Sequence, residues 1–347
     1  MKKIIINGKF MSQNVTGVQR YAREILSEMD AVVQPGVEII LACDRNAVNV
    51  GKYRNIRIER VGRLTGNLWE QISLPAFVIR NRAVCVSLCN MAPVLTPHIV
   101  AIHDVSFRVN KDFFSRKFSL WYGLVFSLII RRIKQIVTVS DFSRSEICRA
   151  YGRDFPNITV TYNGWQHFRR VVSDNNAVSK YGLIPGEYFF SMSSMAPNKN
   201  FRWIASAACH NPDVTFAVSG AVNTKVFGDI FDFEIPQNLK FLGYVTDEEA
   251  KALMGDCKLF LFPTYYEGFG IPPLEALSVG ARAAVSDRSC MREIFGGSVY
   301  YIDPDDPETD LNGLLASPVD PPQPVLEKYS WRKSAEILYN TILKEIS

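Results

Sequence analysis

Histidine is scarce in this chain, four in 347 residues, and none of the seven cysteines forms a C-x-x-C pair. No spacing of metal ligands is legible, so no zinc framework is expected. The cysteines, at positions 43, 85, 89, 148, 209, 257 and 290, stand mostly among apolar neighbours. They read as reduced thiols of a cytoplasmic protein, which excludes a disulfide scaffold. The longest apolar run, residues 118–130, holds 13 residues. That is short of the roughly 20 that a membrane-spanning helix needs. The opening MKKIIINGKF goes straight into a strand pattern, without the apolar core of a secretory leader. No G-x-G-x-x-G follows that strand, which disfavours a nicotinamide-dependent dehydrogenase. Neither a divalent metal nor another cofactor is expected. Internal repeats are also missing, which sets aside solenoids and propellers.

What remains is an ordinary folded composition, 47% apolar and 21% charged, in a chain long enough for two α/β domains. Short apolar strand patterns alternate with helix patterns twice along the chain. The first series has strands at 2–7, 37–43, 56–61, 83–88, 98–103, 135–139 and 158–162. The second has strands at 188–192, 214–219, 239–242, 258–262, 281–286 and 299–302. Residues 166–186 are polar and turn-rich and read as a linker. The expected fold is α/β, with two Rossmann-like doubly wound parallel-sheet domains, 1–165 and 187–328, facing each other across a cleft. Residues 329–347 form a closing amphipathic helix.

The most informative stretch is 258–280, KLFLFPTYYEGFGIPPLEALSVG. KLFLF has the pattern of a buried parallel strand. A loop follows, with Gly268 and Gly270 two residues apart. Pro272 and Pro273 then suit a first helical turn and Gly280 a C-terminal stop. A glycine-bearing loop entering a helix leaves unpaired backbone N–H groups aimed outward, a natural phosphate site. Glu267 and Glu275 bracket it. Carboxylates repel phosphate, so if they face the ligand they should meet hydrogen-bond donors such as sugar hydroxyls. A phosphate cradle between two hydroxyl acceptors describes a nucleotide-sugar site.

Three other features carry meaning. Charge is divided unevenly: residues 1–170 hold 25 Lys+Arg against 12 Asp+Glu, and residues 171–347 hold 14 against 23. The first half therefore suits an anionic partner, or else presents a solvated basic surface. Within it, residues 111–134 enclose FSLWYGLVFSLII between basic ends. This segment is either an interfacial helix on an anionic membrane or a core helix with solvated ends. Finally, Gly17 lies in the loop entering the first helix, and His103 at a strand's carboxyl end, where open parallel sheets bind ligands.

E-G-F-G-I-P-P-L-E-A-L, from Glu267 to Leu277, resembles the paired-glutamate motif of the retaining glycosyltransferases of family 4, which have the GT-B fold. TGVQRYAREI near the start, IHD at 102–104, TVSDFSRSEI at 138–147, YNG at 162–164, PNKN at 197–200 and YSWRKSAEIL at 329–338 extend the resemblance over nearly the whole chain. TGVQRYA and IHD are similar to bacterial enzymes that build O-antigen, capsule or exopolysaccharide.

The resemblance implies a donor site in which Glu275 accepts from the ribose hydroxyls and Glu267 faces the transferred sugar. Gly268, Phe269, Gly270 and Ile271 would offer backbone N–H groups, and Lys199, beside Asn198, would stabilise the leaving diphosphate. Gly17 would let the first loop approach that diphosphate, and His103 would contact the donor sugar. The family usually pairs its lysine with an arginine. Here Asn198, Ser193 and Ser194 occupy the available positions, and Arg20 or Arg23 is the expected substitute.

The resemblance further implies metal-independent transfer, with retention, of mannose, rhamnose, fucose or glucose from a nucleotide-diphosphate sugar. The acceptor is expected to be a lipid-linked saccharide at the inner face of the cell membrane, held on the side of residues 1–165. The closing helix is expected to pack back toward that domain. No nucleic-acid partner is expected. A nucleotide-sugar epimerase of the same fold and a non-catalytic sugar-binding protein are the rival readings.

Overall fold

The computed structural model describes residues 2–109, 116–194, 196–220 and 235–346. The chain divides into two compact units, unit 1 of Met1–Asn163 with Ser330–Ser347, and unit 2 of Gly164–Tyr329. Each unit is built on one all-parallel sheet covered by helices.

Unit 1 is built on seven strands: β1 Lys2–Asn7, β2 Val37–Cys43, β3 Ile56–Arg60, β4 Val84–Ser87, β5 Ile99–Ala101, β6 Gln135–Thr138 and β7 Ile158–Val160. Their spatial order is β3-β2-β1-β4-β5-β6-β7. β1, β4 and β5 are buried along most of their length, as central parallel strands covered on both faces must be. Helix α1, Gly17–Asp30, buries Tyr21, Ala22, Ile25, Leu26 and Met29 on one stripe. A second helical stretch runs from Gly66 to Arg80. It widens into a π turn over Trp69–Ser73 just before Pro75, where a proline removes one backbone donor.

Helix α2, Arg116–Arg132, covers most of the basic, apolar segment; residues 110–115 lie outside the described residues. From Tyr122 onward its inner face is core: Val125, Phe126, Ile129 and Ile130 pack with Met91, Ile102 and Phe107. Leu124 is 58% exposed on the other face, and Arg131 and Arg132 are exposed at the end. The inner face of its described part, from Tyr122 onward, is therefore used within unit 1. Helix α3, Asp141–Tyr151, is capped by Ser140, whose hydroxyl accepts from the Ser143 N–H.

The chain returns to unit 1 at Ser330 and forms its last helix, Trp331–Glu345. Trp331 is fully buried, edge-on to Tyr21 at 6.1 Å. Ser334 Oγ donates to the Tyr162 carbonyl at 2.5 Å, and the Gln34 N–H donates to the Tyr339 hydroxyl at 2.9 Å.

Unit 2 has six strands: β8 Tyr188–Met192, β9 Thr215–Ser219, β10 Leu239–Gly243, β11 Leu259–Phe262, β12 Ala283–Ser286 and β13 Tyr300–Ile302. They run in the order β10-β9-β8-β11-β12-β13. The stretch read as a linker, 166–186, is folded into this unit instead. It forms helix α4, Gln166–Arg170, and a turn of helix over Ala177–Lys180, and it buries His167, Phe168, Ala177 and Val178. Five buried side chains, these four and Leu183, among many polar ones give no periodic signal, which is why composition alone reads as loop.

Candidate active site

In unit 2 the strand order reverses between β8 and β11. Loops that leave adjacent strands in opposite directions open a crevice at their carboxyl ends, the place where open α/β sheets bind ligands. The loop after β8 carries PNKN and the loop after β11 carries EGFG. Sequence separation is thus removed by topology. The Tyr265 N–H donates to the Asn198 carbonyl at 2.9 Å, and Asn198 Nδ2 donates to the Tyr266 carbonyl at 3.4 Å. Lys199 Nζ meets Glu267 Oε1 at 2.5 Å, with the two side chains 21% and 14% exposed. Lys199 is held there because Pro197–Lys199 forms one 3-10 turn, stopped by Asn200 at φ 55°, whose amide donates to the Pro304 carbonyl at 2.7 Å.

Gly270 caps the helix α5, Ile271–Ser278, at φ 95°, a backbone region that an L side chain rarely enters. A Cβ there would also stand 3.1 Å from Met291 Cε. Phe269 and Ile271 turn their side chains inward, Phe269 edge-on to the buried Tyr329 at 5.2 Å. Their side chains therefore anchor the loop, leaving only backbone groups for a ligand. The helix begins at Ile271, so Glu275 sits in its second turn, about 6 Å along the axis from the first residue. A first-turn dipole role does not account for it. Glu275 is 4% exposed. Its Oε1 lies 2.6 Å from His167 Nε2. Among the described residues no partner is seen for its Oε2. Two further buried hydroxyls at strand ends, Thr264 Oγ1 after β11 and Ser219 Oγ on β9, have no hydrogen-bond partner. Unmet buried polar atoms at a crevice suit a bound polar molecule.

The remaining predicted residues lie in unit 1. Gly17 opens α1 and is exposed behind Thr16, whose N–H donates to Gln19 Oε1 at 3.2 Å. His103 stands just past β5, as read, but its ring turns into the core: it is 5% exposed, Nε2 lies 2.9 Å from the Leu88 carbonyl, and the ring is edge-on to Tyr21. Its own carbonyl accepts from Ser143 Oγ at 2.9 Å. Burial holds this imidazole below its usual range, partly offset by the Leu88 carbonyl and by Asp104. The ring is thus engaged in packing unit 1, between Tyr21 and the Leu88 carbonyl. Arg23, a candidate to replace the missing arginine, donates to the Asn49 carbonyl at 2.9 Å. Among the described residues no group of side chains could hold a metal ion.

Sequence reasoning missed a second crevice. Unit 1 also reverses its strand order, between β1 and β4. There a cavity of about 460 Å³ is lined by Asn7, Lys9, Glu70, Asp104, Phe107 and Tyr122, among others. Lys9 Nζ meets Glu70 Oε2 at 2.7 Å, and Asn7 Nδ2 donates to Glu70 Oε1 at 2.8 Å. The signal available was GKF directly after the first strand, but its partner lies 61 residues away.

Residues 182–316 match the family described as "Glycosyl transferases group 1". The chain is 24% identical over 238 residues to the O-antigen chain mannosyltransferase RfbU of Salmonella typhimurium, covering 65% of this chain and 62% of that one. It is 30% identical over 213 residues to O-antigen chain mannosyltransferase B of Escherichia coli, covering 58% and 54%. The chain thus spans less than two thirds of the length of these curated relatives. In fold it is similar to Anabaena Alr3699/HepE, solved in complex with UDP and glucose, with a TM-score of 0.71 at 16% identity over 99% of this chain and 100% of that one. WaaG, a glycosyltransferase involved in lipopolysaccharide biosynthesis, gives a TM-score of 0.64 at 14% identity over 100% and 98%. The chain therefore has the GT-B fold, and its residues 182–316 match the group 1 glycosyl transferase domain.

Proposed function

We propose that this protein transfers a hexose or deoxyhexose, with retention at C1 and without a metal, from a nucleotide-diphosphate sugar to a hydroxyl of a lipid-linked saccharide. The pathway would be the synthesis of O-antigen, capsule or exopolysaccharide. The observation that carries this reading is the Lys199–Glu267 pair at the unit 2 crevice, with Glu275 on the helix that follows the Glu267 loop. An ammonium group beside outward backbone N–H groups stabilises charge developing on a leaving diphosphate. A carboxylate beside it accepts from sugar hydroxyls in charge-assisted bonds. The leaving phosphate itself would take the acceptor proton on the same face. The mannosyltransferase names of the relatives put mannose first among the donors to try.

The unit 1 cavity supports an acceptor subsite. Polar Lys9, Glu70 and Asp104 face aromatic Phe107 and Tyr122, a lining suited to a sugar's hydroxyls and its apolar ring face. The exposed Leu124, Arg131 and Arg132 of α2 would rest on an anionic membrane at the cytoplasmic side.

The test is a panel of nucleotide-diphosphate sugars scored by protection against thermal unfolding, followed by product analysis with and without a lipid-linked acceptor. Transfer that needs the acceptor, keeps the donor's anomeric configuration and persists in EDTA supports the reading. Conversion of the donor alone would make the protein an epimerase, an activity the fold accommodates. Loss of activity in EDTA that Mg²⁺ restores would remove the metal-independent mechanism. Retention in solution with anionic vesicles present would remove the membrane contact.

A further inference from the structure

Glu275 has a buried partner that its motif does not contain. His167 lies 108 residues earlier, on α4, and places Nε2 2.6 Å from Glu275 Oε1. The two side chains are 3% and 5% exposed. A carboxylate so withdrawn from water needs a hydrogen-bond donor in place of the water it has lost. Here that donor comes from a short helix rather than from the carboxylate's own element.

Helix α4 is itself fixed within unit 2. Trp165 Nε1 donates to the Leu326 carbonyl at 2.8 Å, and Gln166 Nε2 to the Tyr329 carbonyl at 3.0 Å. Lys251 Nζ donates to the Phe168 and Val171 carbonyls at 3.0 and 2.7 Å. Tyr329 in turn packs on Phe269 of the glycine loop. The histidine and the loop therefore share one frame. Locked rotamers of this kind are what orient a binding carboxylate, since a group free to swing loses much of its directed affinity.

We infer that His167 is a positioning residue for Glu275: it holds Oε1 so that the carboxylate presents Oε2 to the two ribose hydroxyls of the donor. The inference rests on the reading of unit 2 as a nucleotide-sugar site. It adds that ribose recognition is shared between α5 and α4.

The experiment separates the two. Binding of GDP and UDP, each beside its 2′,3′-dideoxy analogue, is measured by calorimetry on the full chain and on His167→Leu and His167→Gln. The full chain should prefer the ribose form by about tenfold or more, the range of a charge-assisted hydrogen bond. His167→Leu keeps the volume and removes the donor. It should lose most of that preference while binding the dideoxy form within about twofold of the full chain. His167→Gln retains an N–H donor and should keep the preference. With the working donor sugar, KM should rise in His167→Leu by about the lost preference and kcat should change little, the pattern of lost uniform binding.

A folded His167→Leu chain with its ribose preference intact would overturn the inference and leave the nucleotide site standing. A full chain that does not distinguish ribose from dideoxyribose would overturn both. Should His167→Leu fail to fold, the imidazole 15N resonances of His167 in the unmodified chain decide. A shift on adding the ribose form alone supports the inference, and equal shifts with both forms overturn it.

Discussion

Each unit puts a lysine–glutamate pair at the point where its strand order reverses, and the two pairs are built for different work. In unit 1, Lys9 and Glu70 are 13% and 2% exposed, and both are held by further bonds: Lys9 to Asn67 at 2.6 Å, Glu70 to Asn7 at 2.8 Å. Glu70 comes from a π turn packed on the sheet through the buried Trp69, whose indole N–H donates to the Val61 carbonyl. In unit 2, Lys199 and Glu267 are more exposed, Lys199 ending a 3-10 turn and Glu267 standing in the loop after β11. A pair nearly withdrawn from water and held by further bonds shapes a wall. A more exposed pair at a crevice can exchange its mutual contact for contacts with a ligand.

The sharpest way to break that contrast is to remove each lysine. Lys199→Ala should lower kcat by about 10²–10³-fold, the usual effect of losing a group that stabilises the developing oxyanion. Lys9→Ala should act mainly through acceptor KM and stability, with donor binding unchanged. Steady-state kinetics with donor and acceptor varied separately test this. Equal losses of kcat in both would mean that the pairs share one role, and the comparison would fail.

The next effect is on stability. Glu70→Gln leaves the Lys9 ammonium beside a neutral amide in a nearly dry wall, and breaking a buried pair costs about 3 kcal/mol. Glu267→Gln, at a wetter site, should cost under about 1 kcal/mol. Urea unfolding of both variants measures the difference. A double change, Lys9→Met with Glu70→Met, should recover much of the loss, because an apolar pair leaves no charge to compensate. Equal costs at the two sites would show that exposure does not separate them.

These contrasts also mark what could be read in the chain. The strand–loop–helix of 258–280 was legible because its information is local: an apolar run, glycines at a turn, prolines at a helix start. The alternation of strands and helices gave both sheets for the same reason. Glu70 was not legible as a site residue, because it meets Lys9 only once β1 and β4 are neighbours. His167 was hidden in a stretch whose composition reads as linker, and its partner is a whole sheet away in sequence. His103 shows the opposite limit. Its place at a strand end was correct, yet ring direction depends on Tyr21 and Leu88, which local pattern does not reveal.

The smallest effect separates the units by pH. In unit 1, the Cys85 N–H donates to His98 Nδ1 at 3.0 Å, so that nitrogen must stay unprotonated for β4 to keep the bond. Burial, aided by the Lys134 ammonium, holds His98 below its ordinary 6.5, and burial does the same for His103. A ring that resists protonation only when folded binds fewer protons in the native chain than in the unfolded one. Stability from these two rings is therefore complete above the unfolded value near 6.5 and declines as pH falls below it. Amide hydrogen exchange, corrected for intrinsic rates, should show Cys85 losing protection between about pH 7.5 and 5.5. The amides of β8 in unit 2 serve as the internal reference. His98→Gln should flatten the Cys85 response while leaving β8 as before. Parallel loss in β4 and β8 would place the acid sensitivity in the whole chain rather than in the histidines of unit 1.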